Sequence, residues 1–234
     1  MNKKYETLMI SESNSTAIIT FDAPYSNRMS MQFIDDLSSA VETCIEAKPD
    51  GIILTGAGRH FSVGADVDEL RISTSSGTEL DKNGSIVCIP EKQNRIRETL
   101  IRLSKLSCPV AAAIKGFCIG SGAELAYFCH FRICERSMKI GSPESTFGIM
   151  PGLGGCVNTY RLCGLQASLD MVLTGKLLTF EEAERNNIVD IVSEKNKSLE
   201  TALNLISFIN SQGKYDPEDK YQIISRFTKE VTRI

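Results

Sequence analysis

Val110 to Cys129 reads VAAAIKGFCIGSGAELAYFC. Pro109 ends the helical pattern before it, because proline lacks an N–H donor and disfavours helix in the preceding residue. Val110 to Ile114 is a continuous apolar run of strand length, and Ala123 to Cys129 continues as a helix of mostly apolar residues. Gly120-Ser121-Gly122 joins the two. A strand that passes through glycine into a helix leaves the first peptide N–H groups of that helix without carbonyl partners, at the positive end of its dipole. Such a start can hold an oxyanion. The plainer reading of the same residues is a tight turn that needs glycine only for its dihedrals.

On either side the alternation of strand and helix persists. Leu8 to Ile10 and Ala17 to Phe21 are β-prone runs separated by the polar cluster Ser11 to Ser15, which predicts a hairpin. Phe33, Ile34, Leu37, Val41, Cys44 and Ile45 recur at helical spacing within Phe33 to Lys48, and Ile52 to Leu54 follows as a buried strand. Ile96, Leu100, Leu103 and Leu106 mark a second helix before Pro109. Strands that read as unbroken apolar runs between helices predict parallel βαβ units covered on both faces, hence an α/β class. Ser73 to Gly84 is polar and aperiodic, which predicts a mobile surface loop or lid. A break near Glu194 to Lys197 separates an α/β core, 1–192, from a helical tail, 193–234. The tail carries two apolar faces, one through Leu199, Ala202, Leu203 and Ile206, the other through Tyr221, Ile223, Ile224 and Phe227. The second face is expected to have few partners within its own chain and to pack in an oligomer.

Composition excludes several classes. The 234 residues are 42% hydrophobic and 24% charged, which suits a globular chain rather than a disordered one. With 26 Lys and Arg against 29 Asp and Glu, and no basic block, nucleic acid is not an expected partner. No apolar run has the length of a signal peptide core or a membrane span, so a cytoplasmic protein without membrane attachment is expected. The 8 cysteines contain no C-x-x-C pair and sit mostly in apolar segments, and the 2 histidines, His60 and His130, supply little for a metal site. Buried thiols and no metal are expected.

Two further glycine-rich passages stand at the ends of apolar segments, Gly56 to Asp66 and Pro151 to Gly155. Glu124 falls in the first turn of the helix after Gly122, and Glu144 follows Pro143 in a loop leading to Phe147 to Met150. Apolar surroundings raise a carboxyl pKa, the condition for acid and base work near neutral pH. Taken singly, each glutamate also fits a helix-dipole partner or a solvated side chain.

Four blocks together resemble the crotonase superfamily, the enoyl-CoA hydratases and isomerases. They are GRHFSVGADVDEL at Gly58 to Leu70, AAIKGFCIGSGAELA at Ala112 to Ala126, SPESTFGIMPGLGG at Ser142 to Gly155, and LTGKLLTFEEAERNNIVDIV at Leu173 to Val192. The resemblance runs from about Ile18 to Val192. It implies the crotonase (ClpP-like) fold, with repeated ββα units and a helical C-terminal tail. It implies that the peptide N–H groups of Ala65 and Ser121 form an oxyanion hole for a thioester carbonyl. Glu124 would help to activate water, and Glu144 would exchange the proton at the α-carbon. Asn27, Arg28, Gly64, Asp66 and Val67 are implied to contact the substrate beside Ala65. Gly120, Gly122, Pro143 and Gly152 are implied to contact it from the other side.

By this resemblance the substrate is an acyl thioester of coenzyme A or of a carrier protein, with no prosthetic group, and the assembly is a homotrimer or hexamer. The reaction implied is hydration of a 2-enoyl thioester or its reversal, with isomerisation or thioester hydrolysis as the alternative. A catalytically inactive acyl-CoA binding subunit would have lost the acids. A serine hydrolase would need the G-x-S-x-G frame and a better supply of histidine. The chain departs from the family pattern at Ser142, His130 and Arg28, and its tail after Val192 is short for the family.

Overall fold

The computed structural model of the chain describes residues 1–66, 79–80, 86–88, 91–213 and 215–231. Val67 and most of the Ser73 to Gly84 stretch therefore lie outside the described residues. Glu79–Leu80 within that stretch is a strand paired antiparallel with Ile86–Cys88, where the sequence predicted only loop.

The main sheet has seven strands: β1 (Lys3–Lys4), β2 (Leu8–Ser13), β3 (Thr16–Phe21), β4 (Gly51–Gly56), β7 (Val110–Ile114), β9 (Phe131–Glu135) and β12 (Ile191–Ser193), adjacent in that order. Strands β5 (Glu79–Leu80) and β6 (Ile86–Cys88) pair apart from it. The hairpin β2–β3 is antiparallel, turning at Asn14 and Ser15 with φ of 48° and 60°, the left-handed pair that a tight two-residue hairpin requires. From β3 onward every neighbour is parallel. A second sheet orders β11 (Leu177–Thr179), β10 (Lys139–Gly141) and β8 (Phe117–Ile119).

The pleat sorts each apolar strand between two cores. Ala17, Ile19, Phe21, Ile52, Leu54, Val110, Ala112 and Ile114 face one cluster, and Ile18, Ile53, Ala111, Ala113, Phe131 and Ile133 face the other. The first is covered by helices α1 (Met31–Ala47) and α2 (Glu91–Ser104). Ser30 caps α1 by accepting the Phe33 N–H at 3.2 Å, and Lys48 ends it in a left-handed conformation.

The second core is covered by the tail. Beyond the short helix α5 (Phe180–Arg185), helix α6 (Ser198–Ser211) contributes Ala202, Leu205, Ile206 and Ile209, and helix α7 (Lys220–Val231) contributes Phe227, only 5% exposed and 5.7 Å from the Phe208 ring. The expectation that Tyr221 to Phe227 has few partners in its own chain is therefore corrected. Phe227, with Ile223 and Ile224 packed beside it, joins the second core and meets α6 through the Phe208 ring, while Tyr221 is exposed. A buried ion cluster fastens the same helix. Arg132 on β9 bonds Asp190 at 3.0 Å, and Lys220 reaches the other oxygen of Asp190 at 2.6 Å. The Arg132 guanidinium also donates to the Ile188 and Cys129 carbonyls, so its burial is compensated. Among the described residues no helix is long and apolar enough to cross a membrane.

Candidate active site

The sequence from β7 through β8 into helix α3 (Ser121–Tyr127) delivers Ser121 to the top of the main sheet. Gly120 donates to Gly141 at 2.9 Å and Ile119 to Ser62 at 3.1 Å, which pins the turn between β10 and the segment after β4. Gly120 adopts φ 56° and ψ −132°, a conformation closed to residues with a Cβ. Gly64 packs directly against it with φ 90°. A Cβ on Gly64 would lie 2.8 Å from the Ile119 carbonyl oxygen and 3.5 Å from the Ser121 nitrogen. The peptides of Gly64-Ala65 and Gly120-Ser121 are therefore side by side. Among the described residues neither the Ala65 nor the Ser121 N–H is taken by a turn or loop carbonyl. Gly122 faces Ser62, where a Cβ would come within 2.7 Å of the serine Cβ.

Glu124 lies on the first turn of α3 and is 1% exposed. Its Oε1 accepts the N–H of Leu153 at 2.8 Å and that of Gly155 at 2.7 Å. Gly155 opens helix α4 (Gly155–Thr174), whose axis breaks at Gly164. The third glycine passage is thus a receptacle for the first acid, a role the sequence did not disclose because it joins residues far apart in the chain. Burial raises the Glu124 pKa to about 7; the Gly155 and Leu153 N–H groups oppose the rise and the Glu144 charge adds to it.

Glu144 stands in the 3₁₀ turn Pro143–Phe147, reached directly from β10. Burial raises its pKa as well, against a backbone hydrogen bond. Its Oε1 lies 3.2 Å from the point a Cβ on Gly120 would occupy, and its Oε2 is buried without a hydrogen-bond partner. The structure therefore assembles Gly64, Gly120, Ser121, Glu124 and Glu144 in one place, together with the first turn of α4.

The remaining sequence-predicted residues are placed differently. Asn27 is 2% exposed and its side chain is occupied by its own chain: Nδ2 donates to the Ala57, His60 and Phe61 carbonyls, and Oδ1 accepts from the Ala23 N–H. It clamps the turn Pro24–Asn27 onto the segment before Gly64, and its carbonyl takes the Ser62 hydroxyl at 2.7 Å. Arg28 pairs with Asp66 at 3.1 Å and lies over the Tyr25 ring at 4.6 Å. Pro143 starts the Glu144 turn. Gly152 is exposed, with nothing within 4 Å of its would-be Cβ. No group of three or more potential metal ligands occurs among the described residues.

The profile of the enoyl-CoA hydratase/isomerase family matches residues 11–217. The chain belongs to that family. It is 30% identical over 202 residues to a probable enoyl-CoA hydratase of Rhizobium meliloti, an alignment that covers 85% of this chain and 73% of that one. It is 35% identical over 203 residues to the fatty acid oxidation complex subunit alpha of Shewanella loihica, covering 82% of this chain and 27% of that protein, so the chain spans about a quarter of that relative's length. The enoyl-CoA hydratase crystal structure from Bacillus anthracis superposes with a TM-score of 0.77 at 24% identity, over 98% of this chain and 92% of that one. The crotonase fold expected from the four blocks is the fold observed.

Proposed function

We propose that this family member is an enoyl-CoA hydratase-like lyase that adds water across the C2=C3 bond of a 2-enoyl thioester, or removes it in reverse. The observation that carries this reading is the pairing of a buried glutamate, Glu124, with a half-buried one, Glu144, both with pKa raised by desolvation, beside two peptide N–H groups. The thioester carbonyl accepts from the N–H groups of Ala65 and Ser121, which stabilise the enolate-like oxygen as charge develops there. Glu124, with one oxygen tied to Leu153 and Gly155, takes a proton from the water that attacks C3. Glu144 delivers a proton to C2. Addition of water needs one group for the hydroxyl and one for the carbon-bound proton, and both groups are present.

Movement of a double bond needs only one acid, so a buried and doubly anchored Glu124 favours hydration over isomerisation. The substrate is a thioester of coenzyme A or of a carrier protein, and the pantetheine arm passes the Gly64–Asp66 edge. Arg28 offers a cation there, shared with Asp66.

Assembly as a homotrimer or a dimer of trimers is supported by an apolar row on α4. Leu165, Leu169 and Leu173, four residues apart, are 62%, 46% and 62% exposed, and Val157 and Tyr160 precede them at 53% and 55%. Exposed apolar residues on both segments of this broken helix mark an interface. The tail 193–234 is then a cover for the sheet rather than the interface itself.

The test is a panel of 2-enoyl-CoA thioesters of different length, followed by the absorbance of the conjugated thioester. Its loss with formation of a 3-hydroxyacyl product supports hydration. Conversion of a 2-enoyl to a 3-enoyl product without water uptake gives the isomerase instead.

A further inference from the structure

Two hydroxyls lie beneath the acids and have no part in the mechanism above. Tyr127 follows Glu124 by three residues on α3, so the two side chains share a helix face. Ser142 is the residue between β10 and the Pro143–Phe147 turn that carries Glu144. Tyr127 is 5% exposed and Ser142 is 0% exposed. The Ser142 hydroxyl bears on the Tyr127 phenol, and the phenol also feels the Glu124 and Glu144 carboxyls, with the Cys118 thiol nearby. Yet both hydroxyl oxygens are sealed from solvent without a partner at full hydrogen-bond geometry, as is Glu144 Oε2.

Buried hydroxyls left unpaired are uncommon, since an unmet donor or acceptor in a dry site is unfavourable. Phenylalanine and alanine would fill almost the same volume with no polar atom to satisfy. The pair also sits where the site is weakly fixed. Among the described residues, the Glu144 turn is held by local bonds, from Thr146 to the Pro143 carbonyl at 2.7 Å and from Ile149 to the Glu144 carbonyl at 3.2 Å. Glu124 is anchored from α4, whereas the Glu144 carboxylate has no such anchor.

We propose that Tyr127 and Ser142 are positioning residues whose hydroxyls close into a chain, Tyr127 O–H to Ser142 Oγ and Ser142 O–H to Glu144 Oε2, and so fix Glu144 relative to Glu124. Donor arithmetic supports the direction. Two hydroxyls joined by one bond have one O–H left over, and Glu144 Oε2 is a buried acceptor without a donor. The chain ties the helix bearing one acid to the turn bearing the other. A hydrogen bond to the ionised carboxylate also favours that form, against the burial that raises it. The groups facing this chain are Glu124 from α3, Cys118 from β8 and Glu144 itself. The inference rests on the hydratase reading and adds to it the device that spaces the two acids.

The experiment compares Tyr127→Phe, Ser142→Ala, their double variant and Ser142→Thr in the hydratase assay across pH, with thermal melts of each. Expected is a roughly tenfold fall in kcat for Tyr127→Phe and Ser142→Ala with KM little changed, because geometry is lost and binding is not. The double variant should be no worse than either single one, the mark of a shared interaction. The alkaline limb of kcat, set by the protonated Glu144 that delivers to C2, should move to higher pH in all three, and Ser142→Thr, which keeps the hydroxyl, should retain the wild-type limb. Unchanged kcat and limb with only a lower melting temperature would make the pair mere packing and overturn the proposal. A wild-type protein that shifts the double bond without hydrating it overturns the hydratase reading alone. The same variants, followed in that assay, then decide the pair by the same limb and the same kcat criterion.

Discussion

The Glu124 carboxylate accepts the peptide N–H of Gly155 at 2.7 Å, across the junction of α3 and α4. Its Oε1 also takes the Leu153 N–H, so one oxygen is used for orientation and the second faces the water in the proposed reaction. An acid built this way depends on backbone placed more than one element away.

Replacement of either acid should be severe. Glu124→Gln and Glu144→Gln are each expected to lower kcat by roughly 10²-fold or more, with the fold retained by circular dichroism. Full hydratase activity in Glu124→Gln would defeat the two-acid mechanism.

The glycines should matter more than the serine between them. Ser121→Ala is expected to keep activity, because only its peptide N–H is used, while Gly122→Val forces a side chain into Ser62 and should abolish activity. Gly155→Ala tests the anchor, since its methyl would meet Glu124 Oε1 at 2.9 Å. A fall in kcat with a lower melting temperature is expected there, because the methyl also meets the Pro151 Cβ at 2.7 Å.

The raised acid leaves a signature in stability. The folded pKa of Glu124, about 7, exceeds the ordinary value of 4.5, so the folded chain holds the proton more tightly than the unfolded chain does. The resulting stabilisation is present below the unfolded value and lost as pH rises through about 7. Glu124→Gln should therefore be more stable than wild type at pH 8, by up to ~3 kcal/mol, and lose that advantage toward pH 4.5. Urea titrations at the two pH values give the difference directly. A constant difference would place the ionised group in water.

The ion cluster under the tail should be sensitive to loss of its central anion. Asp190→Ala leaves Arg132 and Lys220 buried without a counter-charge, and a loss of roughly 3–5 kcal/mol is expected. Lys220→Met should cost much less, because the lysine is held down to a pKa of about 8 chiefly by burial and a thioether chain can fill its place. Chemical denaturation ranks the two.

Much of this was legible in the residues. Val110 to Ile114 reads as a two-sided strand because Val110, Ala112 and Ile114 and the intervening Ala111 and Ala113 are all apolar, and Gly120 to Gly122 marks the helix start by its dihedrals alone. Glu124 and Glu144 were singled out by their apolar neighbours, and Glu124 is buried and Glu144 half-buried, each with its pKa raised by desolvation. What escaped depends on contacts between distant segments. The periodicity of Ile223, Ile224 and Phe227 shows that a face will be covered but not by what, and it is the chain's own second core, with Phe208 of α6. Asn27 resembled a substrate contact, yet its amide is used on three carbonyls beyond β4, a partnership that spacing does not encode. Arg132 sits in an apolar strand, and Asp190 and the Ile188 carbonyl, both far along the chain, explain much of its burial.

The strand order of the main sheet has a consequence for how the chain is made. From β1 to β12 the spatial order follows the sequence order, with no strand inserted between two earlier ones. As the polypeptide leaves the ribosome, each new strand docks on the last and nothing already paired must reopen. At any moment one growing edge is uncovered, and it passes from β4 to β7 to β9 before β12 closes it. The apolar face beneath Ile53, Ala113 and Ile133 stays wet longest, until Ala202 to Phe227 have been synthesised. A chaperone that grips nascent apolar surface would find its site there, and it would be released by the arrival of the tail.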